Sequence, residues 1–166
     1  MKRLFLTLVA ALALTACAAV PVPTAGSQPE ARAYSASDDA SADVDAALAR
    51  AGQSGKRVLL VMGANWCHDS RALAGWLATD RFSDLIERKY ELVFVDIGMQ
   101  RGGDRPNLAI ARRFGITELP GSPNVMVLTP DGKLVNAETA TRWRDAASRT
   151  GDAIYRELTA LADQPV

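Results

Sequence analysis

Three short apolar segments, at residues 58–62, 92–97 and 125–128, set the strongest limit on what this chain can fold into. The first reads VLLVM and the third VMVL, with no polar residue alternating against the apolar ones. A strand with one wet face alternates, so a short continuous β-branched run suits a strand covered on both faces. Covering both faces requires helices, and the sequence between the runs supplies them. Residues 41–52 have helix-favouring composition, with Val44, Leu48 and Ala51 on one face and Gly52 as the expected stop. After the first run, NWCHDSRALAGWLATD reads as a turn leading into a helix whose core side is Leu73, Trp76 and Leu77. A short polar helix at 82–89 precedes the second run.

Further on, NLAIARRFG places Ile110 and Phe114 one turn apart and Gly115 at a C-terminal cap. The third run is followed by TPDG, whose Pro and Asp-Gly suit a tight turn, so residues 133–136 are expected to return antiparallel. The closing segment carries Ile154, Leu158 and Leu161 on one side of a helix. The order α-β-α-β-α-β-β-α predicts an α/β fold, a mixed sheet of about four strands with helices on both faces.

With 48% hydrophobic and 23% charged residues, the chain can build a proper core. Nineteen basic and nineteen acidic residues cancel, which argues against nucleic acid as a partner. His68 is the single histidine, so a multi-histidine metal site is excluded, and neither a metal nor a cofactor is expected.

The N-terminus follows different rules. Lys2 and Arg3 precede an apolar stretch at 4–14 that is too short for a mature membrane span and has the flanks of a secretory signal. It ends in Leu14-Thr15-Ala16-Cys17, which resembles a bacterial lipobox. That resemblance implies a signal peptide at 1–16, cleavage before Cys17, and acylation of Cys17 as a membrane anchor; several chains on one residue anchor stably. Ala18 is not the aspartate linked to inner-membrane retention in enteric bacteria, which favours the outer membrane, facing the periplasm. Loss of Lys2 and Arg3 leaves 17 cations against 19 carboxylates, a net charge of −2. Residues 17–40 are rich in Ala, Pro and Ser and read as a flexible tether, with the folded domain at 41–166.

The chain has two cysteines. With Cys17 acylated, Cys67 is the only free thiol, and in a compartment that permits disulfides a lone cysteine is either buried and inert or reactive with something else. The residues around it resemble the thioredoxin-like superfamily over nearly all of 41–163. The matching landmarks are VLLVMGA running into Trp66-Cys67, then RRFGI before a proline-containing strand entrance, then SPNVMVLTPDGK. The family's cis-proline corresponds to Pro120 or Pro123; Pro123, preceded by Ser122, stands directly before the strand and is favoured, with ELPG as a short insertion.

The resemblance implies that Cys67 starts a helix, where free backbone N–H groups and the helix dipole favour a thiolate nucleophile. His68 adds to this when protonated and Asp69 opposes it. Cys67 and Ser70 then form the catalytic pair, and Trp66, His68, Ser122 and Pro123 face the substrate. Two departures limit the chemistry. Val61 stands where the superfamily often has a buried acid, and Ser70 replaces the second thiol that would resolve a mixed disulfide. The chain therefore resembles Cys-x-x-Ser members acting through one thiol. Disulfide isomerisation, exchange with a small thiol, and long-lived adducts with partner proteins all stay open. The expected function is membrane-anchored thiol–disulfide exchange, of reductase or isomerase type, with protein or small-molecule thiols and disulfides as partners. The competing expectation is a non-catalytic module that binds an envelope protein through the same face. A carrier role in metal or haem assembly is weaker, since one Cys and one His make a poor site.

Overall fold

The computed structural model describes residues 28–98 and 106–165. The signal peptide at 1–16, the acylation of Cys17, the tether at 17–27 and most of the glycine-rich loop after β2 lie outside the described residues.

The apolar runs form the strands. β1 (Arg57–Gly63) lies in the centre, parallel to β2 (Tyr90–Asp96) on one side and antiparallel to β3 (Asn124–Leu128) on the other. Alternate residues of β1 enter different cores, as the two-residue period of a strand demands. Leu59 and Val61, with Val125 and Val127, pack against α2 (His68–Leu77), α3 (Asp80–Lys89), α5 (Gly151–Asp163) and the buried Trp143. Val58, Leu60 and Met62, with Met126 and Leu128, pack against α1 (Ala40–Ser54) and α4 (Leu108–Arg113). The α/β expectation with helices on both faces is therefore met.

Two local expectations change. α1 runs through Gly52 and ends at Gly55, which adopts φ +72° and donates its N–H to Ala51 O. Gly52 stays helical, and Gly55 supplies the left-handed turn that stops the helix. The expected fourth strand is reduced to a single antiparallel bridge between Leu128 and Leu134, so among the described residues the sheet has three strands. The TPDG turn forms, with Thr129 N–H bonded to Lys133 O and Gly132 at φ +83°. Beyond it, the side chain of Asn136 takes the place of a strand. It accepts from Val127 N–H at 2.9 Å and donates to Val125 O at 2.9 Å. One amide side chain thus satisfies two backbone groups on the outer edge of β3, while Val127 O accepts from Val135 N–H and Val125 N–H donates to Ala140 O.

The domain also begins earlier than its composition suggests. Residues 28–39 form no helix or strand, yet they pack along α2. Tyr34 is buried, with its ring edge-on to Phe94 at 5.2 Å. Ala31 N–H donates to Arg71 O at 3.0 Å, and Gln28 accepts from the indole of Trp76 at 2.7 Å. The tether expected over 17–40 thus gives way, from residue 28 onward, to a strap on the folded domain. A single aromatic anchors it, and an Ala/Pro/Ser average hides that anchor.

Candidate active site

β1 ends at Gly63, and residues 64–66 turn the chain into α2. Cys67 is the N-cap residue of that helix, with extended backbone (φ −84°, ψ 125°) and no side-chain capping hydrogen bond, so the thiol stands at the end of the helix where the N–H groups of the first turn emerge. The turn is closed by Cys67 N–H donating to Ala64 O at 3.1 Å. The thiol is half-buried and donates to Ser122 O at 3.3 Å. Ser122 is 55 positions away in sequence, and the antiparallel pairing of Met62 with Asn124 brings it there. The Ser122–Pro123 peptide is the cis bond among the described residues, whereas Pro120 is exposed on the loop before it.

Ser70, where a second thiol would stand, is wholly buried. Its hydroxyl accepts from Ala64 N–H at 3.3 Å and donates to Ser122 Oγ at 3.2 Å. It therefore ties together the end of β1, the first turn of α2 and the loop before β3. Gly63 is required beneath it: a Cβ there would lie 2.7 Å from Ser70 Oγ and 2.6 Å from the Tyr34 ring.

The other expected residues surround this centre. Trp66 is the exposed large apolar side chain of the described residues, at 39%, and its indole N–H donates to Gly98 O at 2.6 Å. It borders an open cleft of about 510 Å3, with Arg32 and Tyr34 on one side and Asp96 on another. His68 points outward and meets Glu30, with Nδ1 2.8 Å from Oε1. Asp69 is turned away from the sulfur and accepts from Ala147 N–H at 2.8 Å, steadying the 3-10 turn Ala146–Ser148.

Three residues that hold the thiol loop and its helix do not stand out in the residue patterns. Glu30 bonds Arg71 through its second oxygen at 2.9 Å. That hydrogen bond, with the charges of Arg71 and His68, holds the Glu30 carboxyl below its ordinary range. Asn65 accepts from Tyr34 N–H at 3.2 Å and donates to Tyr34 O at 2.6 Å. Tyr34 itself donates its hydroxyl to Ser70 O at 3.3 Å. Burial pushes the ionisation of that phenol well up, so it stays a donor. The one available clue to Tyr34 was its isolation as a large side chain in a segment of small ones.

Chemically, the arrangement offers one half-exposed thiol at a helix N-terminus, a carbonyl acceptor against it and no second thiol among the described residues. Nor do the described residues hold a group of three or more metal-ligating side chains.

A family model described as thioredoxin-like matches residues 39–130. A second model, the prokaryotic membrane lipoprotein lipid attachment site, matches residues 1–18 and so includes Cys17. The crystal structure of a disulphide isomerase from Xylella fastidiosa Temecula1 is similar, with 31% sequence identity and a TM-score of 0.70. That similarity covers 78% of this chain and 96% of the other. No curated protein matches the chain.

Proposed function

We propose, for a chain that belongs to the thioredoxin-like family, that Cys67 is the nucleophile of a monothiol disulfide-exchange protein. The chain is related to a disulfide isomerase and carries the attachment site of a lipid-anchored bacterial envelope protein. The observation that carries the reading is the placement of Cys67: half-exposed, at the N-cap of α2, against Ser122 and cis-Pro123.

In the first step the Cys67 thiolate attacks one sulfur of a substrate disulfide. The substrate S–S bond breaks, a Cys67–substrate disulfide forms, and the other substrate sulfur leaves as a thiolate. Ser70 cannot take the next step, because a hydroxyl does not accept sulfur. A second thiolate on the substrate, or on a small thiol, attacks the substrate sulfur and releases Cys67 as a thiolate. When that thiolate belongs to the substrate, one disulfide is exchanged for another and no net oxidation occurs, which is isomerisation. Ser122, Pro123, Trp66 and His68 form the face a substrate chain meets. Anchoring through Cys17 at the periplasmic face, with the outer membrane favoured by Ala18, places that face toward envelope proteins.

A second reading is a binding module that uses this face without turnover. It is favoured by the hydrogen bond from the Cys67 thiol to Ser122 O, which gives a protonated sulfur a partner. Acid-quenched trapping separates the two. Wild-type protein is expected to show mixed-disulfide adducts on non-reducing gels that vanish in Cys67→Ser. Wild-type cells without Cys67-dependent adducts would sink the exchange reading and leave the binding module.

A further inference from the structure

Tyr34 holds the thiol loop on both sides of the sulfur. Its main chain clasps Asn65, two residues before Cys67, through N–H to Oδ1 at 3.2 Å and Nδ2 to O at 2.6 Å. Its hydroxyl bonds Ser70 O, three residues after Cys67, at 3.3 Å. We propose that Tyr34 is a positioning residue for Cys67, and that the strap of residues 28–37 is a working wall of the thiol site. The inference rests on the reading of Cys67 as the reacting thiol.

Several independent contacts support it. The strap lies before the family match, which begins at residue 39. The domain is nonetheless shaped to receive it. A Cβ at Gly75 would lie 2.2 Å from Pro29 O, and one at Gly63 would lie 2.6 Å from the Tyr34 ring. At Gly75 the strap fills the room that the missing Cβ leaves, and at Gly63 the Tyr34 ring shares it with Ser70 Oγ. A second grip comes from Ala31 N–H to Arg71 O and from Glu30, which spans Arg71 and His68. The Tyr34 ring is fixed in turn by Phe94 of β2. Asn65 and Ser70 bracket the sulfur, so holding both sets the path of Cys67 relative to Ser122. Reaction at sulfur demands that alignment, and small displacements of a reacting group cost large factors in rate.

The full, membrane-anchored chain in detergent micelles provides the test, with Tyr34→Phe removing the hydroxyl bond and Asn65→Ala removing the main-chain clasp. The probe is a synthetic peptide whose single cysteine is disulfide-bonded to 2-thiopyridine. Cys67 attacks the peptide sulfur and 2-thiopyridone leaves, so the rate is read directly. In each variant the maximal rate is expected to fall about tenfold while the half-saturating peptide concentration holds, which separates misalignment from lost binding. Alkylation by iodoacetamide, a small reagent with no docking demand, is expected to stay within about twofold. Amide hydrogen exchange over residues 64–71 is expected to rise about tenfold while β1 and β3 stay protected. Unchanged loop exchange in both variants, or a rise shared equally by the sheet, overturns the inference. If wild-type protein forms no adduct with the peptide while the loop amides still respond, the exchange reading falls and the positioning of the loop stands.

Discussion

Glu30 shows how much a single exposed residue can organise. Its two carboxylate oxygens reach the first and fourth residues of α2, His68 and Arg71, and so tie the strap to the helix that carries the thiol. The Arg71 hydrogen bond is the main reason the carboxyl is held below its ordinary value of 4.5. A carboxyl depressed in the folded state stabilises that state above the unfolded value, and the contribution disappears as pH falls through the lowered one. Solvent screens the pair, so the effect is local rather than global. Exchange of the Ala31 amide, corrected for its intrinsic pH dependence, is therefore expected to speed up in wild type between pH 6 and pH 3. In Glu30→Gln it is expected to be fast already at pH 6, with no further acid response. An acid response equal in both proteins would show that Glu30 does not hold the strap. Ser70 carries a different lesson at this scale. Its position was legible as the site of a missing sulfur, but its burial and its bonds to Ala64 and Ser122 were not. They depend on a loop some 52 residues away.

Among the elements, the strands followed their sequence closely because burial on both faces leaves a continuous apolar run. Helix faces were equally legible: Leu73 and Leu77 of α2, and Ile154, Leu158 and Leu161 of α5, all face one core. The return strand was not. Lys133 to Val135 has strand-like composition after a good turn, and Val135 N–H does bond Val127 O, but beyond that single bridge the amide of Asn136 takes the edge of β3. An amide side chain mimics a peptide group, and no periodicity announces when one will do so. Asn136→Ala would leave Val127 N–H and Val125 O without partners inside the protein. The expected cost is about 2–4 kcal/mol, the sum for two stranded backbone groups. It would appear as a lower denaturation midpoint at unchanged slope. A cost near zero would mean that water or a shifted 133–135 segment replaces the amide.

For the molecule as a whole, the two ends of the sheet have separate tasks. The thiol sits where β1 ends. At the opposite end, a cleft of about 500 Å3 gathers Lys56, Arg57, Arg88 and Lys89 around the C-termini of α1, α3 and α5. Arg57 donates to Ala162 O and Gln164 O at the end of α5, while Lys56 pairs with Glu91 and Lys89 with Asp163. Eleven peptide steps separate Cys17 from Gln28 and span at most roughly 40 Å, so acylation at Cys17, as proposed, would keep the folded domain close to the bilayer. Intact-mass measurement of the mature protein is expected to give residues 17–166 carrying acyl chains, and Cys17→Ala is expected to abolish that species. An unacylated mature chain from wild type would refute the anchor.

By itself the sequence determined the apolar strands, the apolar faces of α1, α2 and α5, the thiol at the junction of β1 and α2, and the serine at position 70 in place of a second thiol. Each of these is written in neighbouring residues, as a run, a period or a motif. The tertiary structure alone decided that residues 28–37 pack against the loop and helix that carry the thiol, that Ser70 binds three segments together, and that Asn136 takes over the edge of β3. Those outcomes depend on which distant groups meet: Tyr34 with Asn65 and Ser70, Ser70 with Ser122, and Asn136 with the edge of β3. Local pattern does not encode such meetings, because a buried polar group takes whichever partner the completed fold places within reach.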